Sequence, residues 1–452
     1  MSNTTPTRDL TTGSCWKRIL RFALPMLAGS FLQQLYNIVD SWVVGNYVGD
    51  SALAAVGVSF PVLFLFVSFF MGLGTGTTVV IAQFCGAGRE EDIQKTVSTT
   101  YAAFLRSIVP LTVLFLLLVR PVLRWMNIDP AAYDDARIYM LIIVAGLIGN
   151  VGYNFNTAIL QGLGNSRTPL LFLAVATGLN IVLDLVSVTV LHMGVAGAAL
   201  ATVIAQAVSW MFGVFYINRH YPSIRIRWRA LRIEKSILKE ITRIGLPSAL
   251  QSGTVSLGMM VVMGKINSYG EVYTAAYNVG HKLDNMGFLP IQAISNAATA
   301  FVGQNIGARR LDRVKSGTRA VLVMALLWCA VVNLTVLPAR HLLVGLFTGT
   351  EAVIDAGAQY IFCILPFYPF FSVMFCLNAI IRGAGDSVVP MGIAFIGQIV
   401  IRAPAVILLA NRFGPEYMYY GFAIGWLVAS ALSSGYYLSG RWKRRSVELE
   451  KE

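Results

Sequence analysis

The chain has 452 residues, of which 56% are hydrophobic and only 13% charged, with a mean hydropathy of +0.66. A soluble domain carries about 25% charged residues, so a soluble enzyme or binding module is excluded and the composition is that of a polytopic membrane protein. The net charge of +13 lies in short segments between apolar runs, which fits the positive-inside rule and not a groove for a duplex; no nucleic-acid partner is expected.

In chain order, MSNTTPTRDLTTGSCWKR is polar and leads straight into an apolar run, so no cleavable signal peptide is expected. A spanning helix needs about 20 mostly apolar residues. Twelve are predicted, at 17–45, 52–82, 96–120, 137–160, 168–191, 195–217, 238–267, 273–303, 316–337, 355–380, 388–410 and 418–440. The first, second, seventh and eighth run long, which predicts tilting or bending. Connections 86–95, 218–240 and 307–316 and the tail 441–452 are rich in Lys and Arg, whereas 48–52, 191–197 and 267–276 carry few. With an even number of spans, this bias puts both termini in the cytoplasm. The connection 120–137, with three Arg and three Asp, departs from it. Cys15, Cys85, Cys329, Cys363 and Cys376 have no paired spacing and read as small apolar fillers.

The chain repeats itself. ALPMLAG (23–29) returns as GLPSALQ (245–251), and Gly49-Asp50-Ser51-Ala52 as Gly270-Glu271-Val272-Tyr273. AQFCGAG (82–88) returns as GQNIGAR (303–309), and ILQGLGNSRTP (159–169) as IIRGAGDSVVP (380–390), the last three pairs at one offset of 221 residues. An offset of six helices preserves orientation, so an all-α integral membrane fold is expected: two six-helix lobes related by a pseudo-two-fold axis along the membrane normal. The expected boundaries are a tail at 1–16, an N-lobe at 17–217, a basic linker at 218–237 with an amphipathic stretch on the membrane surface, a C-lobe at 238–440 and a basic tail at 441–452. Two such lobes are the frame of a secondary transporter. There is no GxxxxGK[ST] phosphate loop, so an ion gradient is the expected energy source.

Four polar residues in apolar spans of the first half stand out: Asp40, Asn180, Asp184 and Thr202. Asn180 and Asp184 share a helix face. A carboxylate in hydrocarbon costs roughly 2.5 kcal/mol or more and marks function by default. Their oxygens suit Na⁺, by analogy with other hard cations; they suit a proton equally, because burial beside a second carboxylate favours the neutral acid. Gln34, Tyr36, Asn37, Asn150, Tyr153, Asn154 and Asn156 are supporting candidates in the same half, with interhelical bonding as the competing reading. In the second half Lys265, His281, Lys282, Asp284 and Arg402 are the ionisable residues near spans, with Lys265 placed to snorkel. Arg402 stands one position beyond the 221-offset counterpart of Asn180, and Asp284, Met286 and Arg402 are candidates for contact with substrate. Pro25 and Pro247 are hinge candidates, since Pro removes a helical bond and kinks the chain.

The segment ALPMLAGSFLQQLYNIVDSWVVGNYVGDSALAAVGVSFP (23–61), the order ILQGLGNSRTP, N-x-x-x-D, MGVAGAALATVIAQ, and the second-half IRGAGDSVVP and GFAIGWLVAS together resemble the multidrug and toxic compound extrusion (MATE) transporters, over roughly residues 15–440. The resemblance implies an inner (plasma) membrane antiporter, working as a monomer among membrane lipids, that exports organic, often cationic, amphipathic drugs as H⁺ or Na⁺ enters. It implies no cofactor beyond the coupling ion. The match is to the branch that includes DNA-damage-inducible protein F and the archaeal members, whose cation site implies roles for Asp40, Asn180, Asp184 and Thr202 (the Na⁺ ligands, if sodium couples). The other branch uses carboxylates on the seventh, eighth and tenth helices; here the stretch GLPSALQSGTVSLGMMVVMGKINSYG (245–270) of the seventh has none before Glu271 and the tenth none at all. The alternative is a lipid-linked oligosaccharide flippase of the same superfamily, which needs several intramembrane Arg where the first half offers only Arg106. An enzyme is not expected, because His192, His220, His281 and His341 are scattered without ligand spacing.

Overall fold

In hydrocarbon an apolar segment can satisfy its backbone only as a helix or a closed barrel. The computed structural model, which describes residues 9–126, 128 and 130–444, is helical from end to end. The first and last eight residues, the ends of both expected tails, lie outside the described residues, as do Asn127 and Asp129 of the mixed-charge connection.

The first six spans are α1 (Cys15–Tyr47), α2 (Asp50–Gly86), α3 (Glu90–Trp125), α4 (Pro130–Ala145) with α5 (Leu147–Gly162), α6 (Arg167–Leu185) and α7 (Gly194–His220). The second six are α8 (Lys235–Asn267), α9 (Glu271–Gly307), α10 (Leu311–Val336), α12 (Glu351–Ile364) with α13 (Tyr368–Gly383), α14 (Val388–Phe395) with α15 (Ala403–Phe413), and α16 (Tyr420–Ser439); a short α11 (Arg340–Gly345) precedes α12. Eight of these stretches are long and apolar enough to cross a membrane, and the α4–α5 pair makes a ninth. Helices α1, α9 and α16 complete the twelve by their places in the repeat. The fourth expected span, 137–160, is broken into two helices. It bends by 49° at Gly146, where a Cβ would meet Val203 of α7 at 2.3 Å.

The repeat extends to backbone geometry. Positive φ occurs at Gly49 and Gly270 (124° and 94°), Gly88 and Arg309 (70° and 57°), and Gly164 and Gly385 (81° and 101°), each pair 221 residues apart. At the second pair the turn keeps its left-handed residue even where Arg replaces Gly, at some cost in strain. Thr78 Oγ1 donates to the carbonyl of Ala158 at 3.0 Å, and Thr299 Oγ1 to that of Ala379 at 3.2 Å, again 221 apart on both sides.

The contacts divide the described chain into two units, residue 9 with residues 24–246, and residues 10–23 with 247–444. Helix α1 therefore changes unit between Ala23 and Leu24, and α8 between Leu246 and Pro247. In the first unit α2 packs on α5, and α7 on α5 and α6. There the opening turns of α8 press on α2, so closely that a Cβ at Gly76 would lie 2.3 Å from the Ile241 carbonyl oxygen. In the second unit α9 packs on α10, α12 and α13. Residues 10–13, part of the expected tail, are held there. Leu10 N donates to Gln304 Oε1 at 3.0 Å, while Arg313 donates to the carbonyl oxygens of Leu10, Thr12 and Gly13 at 3.2, 3.2 and 2.7 Å. The amphipathic stretch of the linker is not a helix. It is extended between two short 3₁₀ turns, with Ile224 and Ile226 buried, Arg225 and Arg227 exposed, and Trp228 edge-on to Tyr101 and Trp210.

Candidate functional site

Helices α1, α6 and α7 bring the four polar residues of the first unit together. Asn180 and Asp184 stand one turn apart on α6 and are wholly buried; Asp40 on α1 and Thr202 on α7 are each 7% exposed. Asn180 Nδ2 donates to Thr202 Oγ1 at 3.4 Å, and the Tyr36 hydroxyl shares a hydrogen bond with the same oxygen at 3.0 Å. The carboxyl groups of Asp40 and Asp184 interact with each other and with the ring hydroxyls of Tyr36 and Tyr139. Around them Val39, Val43, Val44, Val188, Ala198 and Ala199 form an apolar wall. Directly after Asp184 the helix passes into a π turn, Val186–Val190, a feature frequent at functional sites.

The hydrogen-bond inventory is lopsided. Asp40 Oδ1, Asn180 Oδ1 and both carboxylate oxygens of Asp184 are buried acceptors with no donor. A buried acceptor without a partner costs ~1–3 kcal/mol, and more when charged. Four acceptors on two helices, with carboxylate and amide oxygen among them, fit a small hard cation or a proton.

Of the supporting candidates, Tyr36 joins this set, and Tyr139 joins it unforeseen, since a Tyr in the first turns of the fourth span gives no sign from sequence that it faces α1. Gln34 and Asn37 are half-buried on α1 but take no part in the hydrogen bonds described above. On α5, Asn154 Nδ2 bonds back to the carbonyl and side-chain oxygens of Asn150 at 2.9 and 3.1 Å, and Tyr153 is half-buried on the same helix. Asn156 faces the other way, fully buried, accepting from Tyr101 and donating to the Trp210 carbonyl at 2.9 Å. It holds α3, α5 and α7 together.

In the second unit, Asp284 Oδ1 accepts from the Tyr368 hydroxyl at 2.5 Å, and Oδ2 faces His281 Nδ1 at 3.9 Å. Met286 and Lys282 are exposed, and Lys265 donates to Asn411 Oδ1 at 2.7 Å near the end of its helix. Arg402 is buried at the end of a second π turn, Ile396–Arg402. That turn contributes one extra residue, and so accounts for the one-position shift from the 221 offset. The counterparts of Asp40 and Asp184 at offsets of 221 or 222 are Val261 or Val262 and Ala405 or Val406, all apolar. The carboxylate pair exists in one unit only.

Comparison with known proteins agrees with the repeat and the fold. The family model MatE matches residues 25–186 and 247–408, two copies that start 222 residues apart (247 minus 25). The chain is 31% identical over 447 residues to the probable multidrug resistance protein YpnP of Bacillus subtilis, covering 98% of this chain and 99% of that one. It is 26% identical to the probable multidrug resistance protein NorM of Thermotoga maritima, over 95% and 94% of the two chains. Among solved structures, a MATE crystal structure in the bent conformation aligns with a TM-score of 0.90 at 25% identity, over 97% of this chain and 98% of that one. One in the straight conformation aligns with the same score and identity over 98% and 100%.

Proposed function

The chain belongs to the MatE family of multidrug efflux transporters, and on that premise we propose that it exports amphipathic organic cations in exchange for Na⁺ or H⁺ taken up at Asp40, Asn180, Asp184 and Thr202. What carries this reading is the paired carboxylates of α1 and α6 in an apolar wall, with four acceptor atoms lacking donors. Uptake of one positive charge there compensates the buried negative charge and relieves the repulsion between the two aspartates. Because Asp40 belongs to α1 and Asp184 to α6, occupancy draws the two helices together, and release lets α1 part from α6. An ion shifts the balance of two states only by binding one of them better, so the distance between these carboxyl groups must differ between the drug-binding and ion-binding states. The protein is a multi-pass membrane protein. We place it in the plasma membrane with both termini in the cytoplasm, working as a monomer. The flippase alternative lacks its Arg-lined cavity, since Arg106 is exposed on α3 and stands apart from the polar cluster.

Efflux of a cationic dye from proteoliposomes, with Na⁺ and proton gradients imposed separately, tests the reading and selects the ion. One gradient is expected to drive export. If neither does, the proposal fails.

In this reading Pro25 and Pro247 are the hinges. Pro25 and Pro247 have no N–H to give the helical ladder, and they stand beside the points where α1 and α8 change unit. Pro25→Ala is expected to slow exchange about tenfold, ~1.4 kcal/mol on the barrier, with dye affinity unchanged. Equal losses of rate and affinity would instead make Pro25 a packing residue.

A further inference from the structure

The group this reading leaves unused is Arg402. It is 4% exposed. Its Nη1 donates to Gln398 Oε1 at 2.6 Å and its Nη2 to Met259 Sδ at 3.2 Å, and the guanidinium carbon lies 3.7 Å from the centroid of the Phe422 ring. Both acceptors are neutral, and thioether sulfur is a weak one. The third nitrogen, Nε, is buried with no acceptor at all. Among the described residues no carboxylate lies within ion-pair distance of it. Asp284, the acidic group in electrostatic reach, is committed to Tyr368 and His281. A buried guanidinium without a counter-ion costs several kcal/mol, and nothing in the packing requires a charge here, since the corresponding residue of the other repeat is the neutral Asn180.

We propose that Arg402 is a monoanion subsite of the second unit that takes the carboxylate of a zwitterionic substrate, an inference that rests on the export function above and names a substrate class for it. Three features favour a carboxylate on an aromatic body. A guanidinium binds carboxylate through directed N–H groups, of which Nε is free. The stacked Phe422 ring holds the guanidinium plane fixed, so little side-chain entropy is lost on binding. Met259, unbranched with three rotatable bonds, can leave Nη2 and repack against an apolar ligand. Asp284, though hydrogen-bonded to Tyr368, adds a negative charge within electrostatic reach of Arg402, which suits a substrate that carries a positive group as well as a negative one. Gly425 makes the site possible: a Cβ there would meet Arg402 Cβ at 2.9 Å and the Gly397 carbonyl oxygen at 2.8 Å.

The test uses the purified full-length protein in nanodiscs and two fluorescent probes with one cationic ring system, a rhodamine free acid and its methyl ester. Wild type is expected to bind the acid at least about tenfold tighter than the ester, the scale of a charge-assisted hydrogen bond. Arg402→Gln is expected to remove that preference without changing the ester's Kd, and Arg402→Lys to retain part of it. Equal binding of acid and ester by wild type overturns the proposal and needs no variant to show it. So does an equal loss for both probes in Arg402→Gln, the mark of a structural role. Titration with chloride separates a free anion from a substrate carboxylate: chloride that competes with the acid in wild type alone supports the shared site, whereas Arg402-dependent chloride binding with no acid preference sinks the carboxylate assignment. Gradient-driven export of the ester by wild type reports independently on the function itself. Its failure with acid preference intact would reject antiport and leave the subsite standing.

Discussion

Proteoliposomes carrying Asp184→Asn will bind dye and fail to exchange it against an imposed ion gradient. The substitution keeps shape and removes charge. Both oxygens of Asp184 lack donors, so the amide gains an N–H where the native group offers only acceptors, and the packing has no reason to collapse. The driving force is what disappears. Moving a two-state balance from 1:99 to 99:1 takes about 10⁴-fold better binding to one state, and a neutral amide cannot hold a cation or a proton with that discrimination. A fall of at least about 100-fold in gradient-driven rate is expected, with dye affinity and thermal transition close to wild type. Asp40→Asn should behave alike. Thr202→Ala removes only a neutral oxygen shared by Tyr36 and Asn180, and about a tenfold loss is expected. Undiminished exchange by either Asn variant would move the coupling site elsewhere.

Much of this site is legible in the sequence because the cost of a carboxylate in hydrocarbon does not depend on knowing the fold. Asp40 and Asp184 are conspicuous at once, and the i, i+4 spacing ties Asn180 to Asp184. The repeat is legible for a related reason: its turns demand left-handed residues, and Gly49, Gly88 and Gly164 mark three of them. Other features leave no such mark. A π turn makes no demand on residue type, so IGQIVIR (396–402) reads as ordinary helix: the one-position shift of Arg402 shows in the sequence, but the turn behind it does not. The docking of residues 10–13 uses their backbone groups, which every sequence possesses; the specific side chains, Gln304, Asn305, Arg310 and Arg313, are at the other end and lie about 300 positions away. Asn156 misleads in the opposite sense. Its neighbours Asn150 and Asn154 suggest one wet face, but a helix turns 100° per residue, and two positions past Asn154 the side chain points into the packing.

The exchange of opening turns between units has its own expected result. Gly76→Val will lower the thermal transition of the purified protein, because the added Cβ would stand 2.3 Å from the Ile241 carbonyl oxygen and 3.0 Å from the Gly245 nitrogen. These are backbone atoms and cannot rotate aside. The opening of α8 must shift bodily or α2 must bow, which costs ~1–3 kcal/mol by the usual measure of overpacking. Gly264→Ala on α8 is the control: nothing lies within 4 Å of a Cβ there, and the better helix propensity of Ala predicts a transition unchanged or slightly higher. If the segment of α8 before Pro247 serves only to fill space, Gly76→Val should lose stability and transport in proportion, and a second-site reduction in volume at Ile241 should leave both impaired, since the clash is with its carbonyl. If that segment is instead the fixed end from which α8 swings at Pro247, dye affinity will survive in the fraction of Gly76→Val that stays folded while its exchange rate falls. Measuring affinity and rate on the same folded sample separates the two, and a rate equal to wild type would show that α8 needs no anchor on α2.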